Sequence, residues 1–336
     1  MVMAAGLGTR LRPLTYVRAK PAVPVAGEPL VRRILRWLAR HGVRDAVLNV
    51  HHMPGTVRAA VGDDAGALVR VRYSAEDAVL GTAGGPRHAL PLLGAGRFFI
   101  VNGDTLTDLD LGALLEAHER AGALVTLALV PNPAPARYGG VEIDDRGRVV
   151  RFVRARGAGT GAHLFVGVQV VEASVFAGLP DNVPAESVGQ LYPTLLAERP
   201  GSIRGAVCDA SFLDIGTPDD YLEASLLLRE RESSGGLPAG ARTTIDPSAE
   251  IDRSVLWDDV AIEARVRLSE CVVTDRVRVP EGTALARTVL TPVECGPPLP
   301  GSTRFGQLLL TPLAPAPGHP GGKETVDDHR HTADLR

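Results

Sequence analysis

Through the first 130 residues, short apolar runs alternate with stretches that read as helices, and this alternation limits the fold more than any other feature. Val2 to Ala4 reads as a strand, and Leu30 to Arg40 as a helix with apolar Ile34, Leu35 and Leu38. Ala46 to Val50 reads as a strand, Thr56 to Val61 as a short helix, and Leu68 to Tyr73 as a strand. The series continues with a helix over Thr82 to Leu93, a strand over Phe98 to Val101, a helix over Leu111 to Ala121 and a strand over Leu124 to Val130. Such alternation predicts a mainly parallel sheet with helices on both faces. From Tyr138 the pattern turns to hairpins: Val141 to Asp144, a turn at Asp145-Arg146-Gly147, Val149 to Val153, then a strand over His163 to Val171. Gln190 to Glu198 and Asp219 to Arg229 read as helices.

Ligands of parallel sheets gather at the carboxyl ends of strands. Two chemistry-bearing segments directly follow strands here, the Gly6–Arg10 loop and Asp104. Gly6 and Gly8 let a ligand approach the main chain. The amides of such a turn form an anion-binding concavity, and Arg10 adds a fork of donors matched to phosphate oxygens. The loop is neither of the common phosphate motifs. Leu11 stands where a dinucleotide fingerprint needs its third glycine, and no Gly-Lys-Ser/Thr follows. Composition sharpens the reading at one position. The chain has two lysines, Lys20 and Lys323, and arginine is otherwise its only strong base. Keeping Lys20 beside the glycine loop suggests that a compact ammonium, not a planar guanidinium, is needed there. Pro21 is expected to keep Lys20 extended.

Ser233-Ser234-Gly235-Gly236 reads as a linker. Beyond it Val255, Val272 and Val289 recur every 17 residues, while Val260, Val266 and Val272 repeat by six, as do Ile245 and Ile251. A six-residue apolar repeat suggests a β-helix of about three coils, which needs a cap or a partner. The expected organisation is an α/β domain over 1–232, a linker over 233–238, a β-helix over 239–310 and a disordered tail over 311–336.

The run Gly6-Leu7-Gly8-Thr9-Arg10-Leu11-Arg12-Pro13-Leu14-Thr15, then Lys20-Pro21 and Pro24-Val25-Ala26-Gly27-Glu28-Pro29, closely resembles the signature of the sugar-1-phosphate nucleotidyltransferases (NDP-sugar pyrophosphorylases). The resemblance continues through Leu80-Gly81-Thr82-Ala83-Gly84-Gly85, Val101-Asn102-Gly103-Asp104 and Leu213-Asp214-Ile215-Gly216-Thr217-Pro218. It implies a Rossmann-like α/β domain with a mixed, mainly parallel sheet, followed by a short left-handed β-helix. It implies nucleotide contacts from Ala4, Ala5, Gly6, Gly8, Thr9, Glu76, Gly81 and Thr82. It gives Arg10 the departing pyrophosphate, Lys20 the phosphates, and Asp104 and Asp214 a Mg²⁺ ion. The two aspartates can meet only if the strand near Phe212 lies close to the one ending at Val101. Glu76, five residues before Gly81, matches the family's base-reading position. A carboxylate only accepts hydrogen bonds and so favours the adjacent N–H donors of guanine; Asp77 competes for this role.

The sugar side departs from the family pattern. Tyr138-Gly139 is present, and Gly139 would let a sugar hydroxyl approach the backbone. The usual Phe-Val-Glu-Lys-Pro is here Phe152-Val153-Arg154-Ala155-Arg156, leaving Arg154 or Arg156 to carry the lysine's charge, and Phe165 replaces an asparagine. The expected substrates are a nucleoside triphosphate and a sugar 1-phosphate, with mannose-1-phosphate guanylyl transfer leading. Uridylyl or thymidylyl transfer, an unusual acceptor such as a heptose or N-acetylmuramic acid 1-phosphate, and a non-catalytic NDP-sugar-binding subunit are the alternatives. A homo-oligomer through the β-helix is a further expectation. A net charge of −3 gives no reason to expect nucleic acid. Cys208, Cys271 and Cys295 are too scattered for a disulfide framework or zinc site, and no run is long enough to span a bilayer, so a cytoplasmic location is expected. His51 and His52 look like a metal pair, but neighbours on a strand point to opposite faces, which favours structural roles.

Overall fold

A computed structural model describes residues 1–62, 69–155, 161–232 and 239–313. Among the described residues a nine-stranded sheet forms the centre of the first domain. The two-residue strand Val2–Met3 lies in its middle, parallel to Asp45–Val50 (Val2 opposite Leu48) on one side and to Arg97–Asn102 (Val2 opposite Val101) on the other. Arg70–Ala75 continues the parallel part beyond Asp45–Val50. On the other flank His163–Glu172 runs antiparallel to Arg97–Asn102, with Val168 opposite Val101. It also pairs with Val125–Pro131, which carries Ile203–Val207 at its far edge.

Period-two side-chain alternation builds a core on each face. Val2, Leu48 and Val101 face one side, under the helices Leu30–Arg40, Leu111–Ala121 and Pro218–Arg231. Met1, Val47 and Ile100 face the other, under the helix Gly81–Leu93 and Tyr192 of the helix Tyr192–Glu198. The expected mixed sheet covered on both faces is therefore present.

The second unit is a β-helix. Thr244, Ala261 and Arg278 stack in one parallel sheet, Glu250, Arg267 and Ala284 in a second, and Val255, Val272 and Val289 in a third. The 17-residue recurrence read in the sequence is thus the coil length. Its interior holds Leu256, Val260, Ile262, Val266, Leu268 and Val273. Corners turn through left-handed residues at the same spacing, Arg242, Asp259 and Arg276 along one edge and Arg253, Glu270 and Arg287 along another. Opposite charges stack on these edges: Arg242 Nε donates to Asp259 (2.5 Å) and Arg287 Nη1 to Glu270 (2.9 Å).

Two boundary expectations need correction. The strand Leu308–Pro312 runs past residue 310, and Leu313 is buried. These residues belong to a hairpin with Thr303–Phe305 that pairs antiparallel to Thr288–Pro292 and caps the last coil. Its proline and its proximity to a proline-rich stretch hid it. The linker and the tail beyond Leu313, with Lys323, lie outside the described residues. Among the described residues no helix is long and apolar enough to cross a membrane.

Candidate active site

The chain leaves the central strand at Met3 and passes through three short 3-10 turns, Thr9–Leu11, Leu14–Tyr16 and Lys20–Ala22. Gly8 makes this path possible, with φ +61°, a left-handed conformation. A Cβ there would lie 2.7 Å from Thr15 Cγ2, and Thr15 Oγ1 donates to the Gly8 carbonyl (2.9 Å). Gly8→Ala is expected to cost about 1–2 kcal/mol from the backbone alone, lowering Tm by at least about 2–4 °C; thermal unfolding followed by circular dichroism checks this. Gly6 has nothing within 4 Å of its missing Cβ, so its backbone faces an open cleft.

Lys20 opens a 3-10 turn and is not extended, contrary to expectation. Pro21 is tolerated there because the first N–H groups of a turn have no partner to lose. The extended residue is Ala19 (ψ 146°). This step aims Lys20 Nζ at Asp104 Oδ2, 2.8 Å away, with the lysine side chain only 13% exposed and Asp104 29%.

Asp214 reaches the same place. The strand Phe212–Asp214 pairs antiparallel with Thr105–Thr107, setting Asp214 opposite Thr105 and beside Asp104. Burial raises its carboxyl above the usual range and the Asp104 charge raises it further, with Lys20 and Arg10 opposing. A Cβ on Gly216 would lie 3.2 Å from Asp214 Oδ2, 3.2 Å from Asp220 Oδ2 and 3.5 Å from Arg10 Nη1, so this glycine leaves a cradle among charged groups. Among the described residues no cluster of three or more His, Cys, Asp or Glu side chains could hold a metal. Two neighbouring carboxylates, with room beside them, fit Mg²⁺, which takes one or two protein carboxylates and leaves its other positions to phosphate oxygens and water.

A cleft of about 360 Å³ is lined by Arg10, Lys20, Asp104 and Gly216, whereas Asp214 stands beside it and does not line it. Its lining also includes Ala4, Ala5, Gly6, Gly8 and Thr9, together with Glu76, Gly81 and Thr82. Asn49 also lines it and was not found from the sequence. Its Oδ1 accepts from Ala4 N (2.7 Å) and its Nδ2 donates to Glu76 Oε1 (2.7 Å), tying the loop to the second strand. The available signal was a lone amide in the otherwise apolar run Ala46 to Val50. Glu76 is 5% exposed, and its Oε2 accepts from Leu80 N (2.9 Å), so both oxygens already hold one partner. Asp77 does not line the cleft.

Thr82 Oγ1 donates to Glu186 Oε2 (2.6 Å), a second lining residue absent from the sequence reading. Ala83 N and Gly84 N donate to the Ala185 carbonyl, so part of this helix N-terminus is already satisfied by protein.

Neither described sugar-side candidate lines the cleft. Gly139 packs against its own hairpin, where a Cβ would lie 2.8 Å from the Val153 carbonyl, and its carbonyl accepts from Asn132 Nδ2 (3.1 Å). The close approach that demands glycine is thus to the protein chain. Arg154 is exposed, and Arg156 lies outside the described residues. The guanidinium on this side that reaches the acidic group is Arg137, whose Nη2 donates to both oxygens of Asp220 (2.8 Å each). His51 Nδ1 bonds the Glu76 carbonyl (2.9 Å) and His52 Nε2 the Thr15 carbonyl (3.1 Å), structural roles for both.

Comparison with known proteins adds independent findings. A nucleotidyl transferase family model matches residues 1–231, and a GlmU-like C-terminal hexapeptide model matches residues 239–288. Mannose-1-phosphate guanylyltransferase of Mycobacterium tuberculosis is 30% identical over 290 residues, 79% of this chain and 81% of that protein. N-acetylmuramate alpha-1-phosphate uridylyltransferase of Neisseria meningitidis is 35% identical over 231 residues, 68% of this chain and 96% of that protein. The crystal structure of HddC from Yersinia pseudotuberculosis complexed with GMP-PN matches with a TM-score of 0.59 and 26% identity, covering 68% of this chain and 97% of that one.

Proposed function

The chain belongs to the nucleotidyl transferase family, and from that premise we propose that it joins a sugar 1-phosphate to GTP, releasing pyrophosphate and forming a GDP-sugar, with mannose 1-phosphate the leading acceptor. The observation that carries this reading is the pairing of Lys20 with Asp104 in a glycine-lined cleft that Arg10 also lines, with Asp214 close enough to feel all three charges.

A phosphate oxygen of the sugar 1-phosphate attacks the α-phosphorus. The bond from that phosphorus to the bridging oxygen breaks, and pyrophosphate leaves with the electron pair. The substrate supplies the nucleophile, so the protein's work is positioning and charge stabilisation. Arg10 holds the departing pyrophosphate, and Lys20 holds the phosphates against which the acceptor is aligned. Asp104 and Asp214 would hold Mg²⁺, which when bound neutralises charge on the phosphates. The unhindered backbone at Gly6 lets the triphosphate lie on the main chain.

Glu76 supports guanine. Asn49 and Leu80 fix its orientation, and each oxygen keeps a second lone pair for the N1–H and N2–H₂ donors. The solved HddC relative was determined with GMP-PN. Glu76→Gln is expected to reduce the preference for GTP over UTP by about 10- to 100-fold, the worth of a hydrogen bond to a charged acceptor. Competing-substrate turnover measures it, and an unchanged ratio moves base reading elsewhere. Arg137, paired with Asp220 next to Gly216, is a candidate cation for the acceptor phosphate although it does not itself line the cleft. The three unpaired cysteines agree with action in the cytoplasm.

The test is pyrophosphate release by the full chain with Mg²⁺, each of four nucleoside triphosphates and a panel of sugar 1-phosphates. Turnover with GTP above the others supports the reading; release with none of them removes it.

A further inference from the structure

The segment that carries Lys20 is gripped from outside by the β-helix. Arg18 Nε donates to Asp275 Oδ2, and its Nη2 donates to Asp275 Oδ1 and to Asp258 Oδ2, each at 2.6 Å. The same guanidinium lies 5.4 Å from the centre of the Trp257 ring. Trp257 is fully buried, its Nε1 donates to the Tyr221 hydroxyl (2.8 Å), and that hydroxyl donates to the Pro24 carbonyl (2.6 Å). The β-helix therefore reaches both sides of Lys20, directly at Arg18 and, through Tyr221 of the helix Pro218–Arg231, at Pro24.

Coil stacking builds the receptor. Asp258 and Asp275 occupy equivalent places one 17-residue coil apart, and Asp258 N donates to Asp275 Oδ1 (3.1 Å). Two stacked carboxylates repel unless a cation answers both, and a two-pronged guanidinium does so with fixed geometry. Leu11, Leu14 and Val17 of the signature segment share one core with Val255, Val272 and Val289 of the coils. The coil extension also meets the segment at Gly296, where a Cβ would lie 2.5 Å from the Tyr16 ring.

We propose that Arg18 is a positioning residue through which the β-helix fixes the Lys20 ammonium at the phosphate end of the cleft, making the β-helix a working part of the catalytic unit. The proposal rests on the nucleotidyl transfer assigned above. Pairing Arg18 with the coils leaves Lys20, two residues on, little freedom: Ala19 N is held by Thr56 Oγ1 (3.1 Å) and Lys20 Nζ by Asp104. Loss of the Arg18 fork removes the hold from the β-helix side and leaves two stacked, partly buried carboxylates without their shared cation.

The experiment compares Arg18→Lys and Asp275→Asn with wild type in the full chain, by hydrogen exchange and by turnover with GTP. In both variants amides of residues 8–22 are expected to exchange at least about tenfold faster, while the helix Gly81–Leu93 and the strands Val272–Val273 and Thr288–Pro292 keep their protection. Misplacing the ammonium is expected to lower kcat by about tenfold and to raise KM for GTP by a smaller factor. Unchanged exchange in 8–22, or faster exchange confined to the coils, overturns the proposal. If Asp275→Asn loses protection throughout, Arg18→Lys alone decides. Exchange reads the hold without turnover, so a wild type that releases no pyrophosphate would refute the assigned reaction, not this coupling.

Discussion

Replacing Asp104 with asparagine is expected to lower pyrophosphate release by about 10³-fold while the fold persists, the scale of losing one preorganised electrostatic group. The amide keeps the shape and an oxygen that can accept from Lys20 Nζ, now 2.8 Å from the carboxylate. It loses the charge that a divalent cation needs. The part-exposed pair contributes about 1 kcal/mol or less to stability, so Tm should move little. The Asp104 charge helps hold the Asp214 carboxyl above its usual range. The substitution therefore makes Asp214 easier to ionise, and lost activity would not reflect a neutralised Asp214. A coupled pyrophosphatase assay measures the effect; a loss under tenfold would show the cation is held elsewhere.

Lys20→Arg is expected to lower kcat/KM by about 10²-fold although the charge is kept, because a planar fork does not replace a compact point charge. A longer, flatter head cannot meet Asp104 and the phosphates from the same place. Lys20→Met should fall at least as far. Steady-state turnover of both variants with GTP distinguishes charge from geometry. If the arginine variant kept half of wild-type activity, the scarcity of lysine elsewhere in the chain would carry no chemical meaning.

Much of the architecture was readable because it rests on local periodicity. The strand–helix alternation became a sheet with a core on each face. The recurrence of Val255, Val272 and Val289 became the register of stacked coils. The glycine loop was readable too, since only a special backbone explains Gly8 between bulky neighbours. What escaped depends on contacts far apart in the chain. The pairing of Asp104 with Asp214 is expected from the family resemblance alone, because the strands that join them, Thr105–Thr107 and Phe212–Asp214, are too short to show any period. Arg18 pairs with residues 240 and 257 positions away. Asn49 and Glu186 enter the cleft from a strand and a connecting segment that carry no phosphate motif. Lys20 was misread as extended because the proline after it was weighed for the residue before it, and not for the turn it helps to open. On the sugar side, Arg154 was chosen by its place in a motif, whereas the fold brings Arg137 to the acids.

The most direct measurement is a crystal structure of the full chain with Mg²⁺ and a non-hydrolysable GTP analogue. The triphosphate is expected along Gly6 to Arg10, with the cation held by Asp104 and Asp214 and Lys20 Nζ within hydrogen-bonding distance of a phosphate oxygen. A nucleotide bound elsewhere, or a cation touching neither aspartate, would contradict this placement.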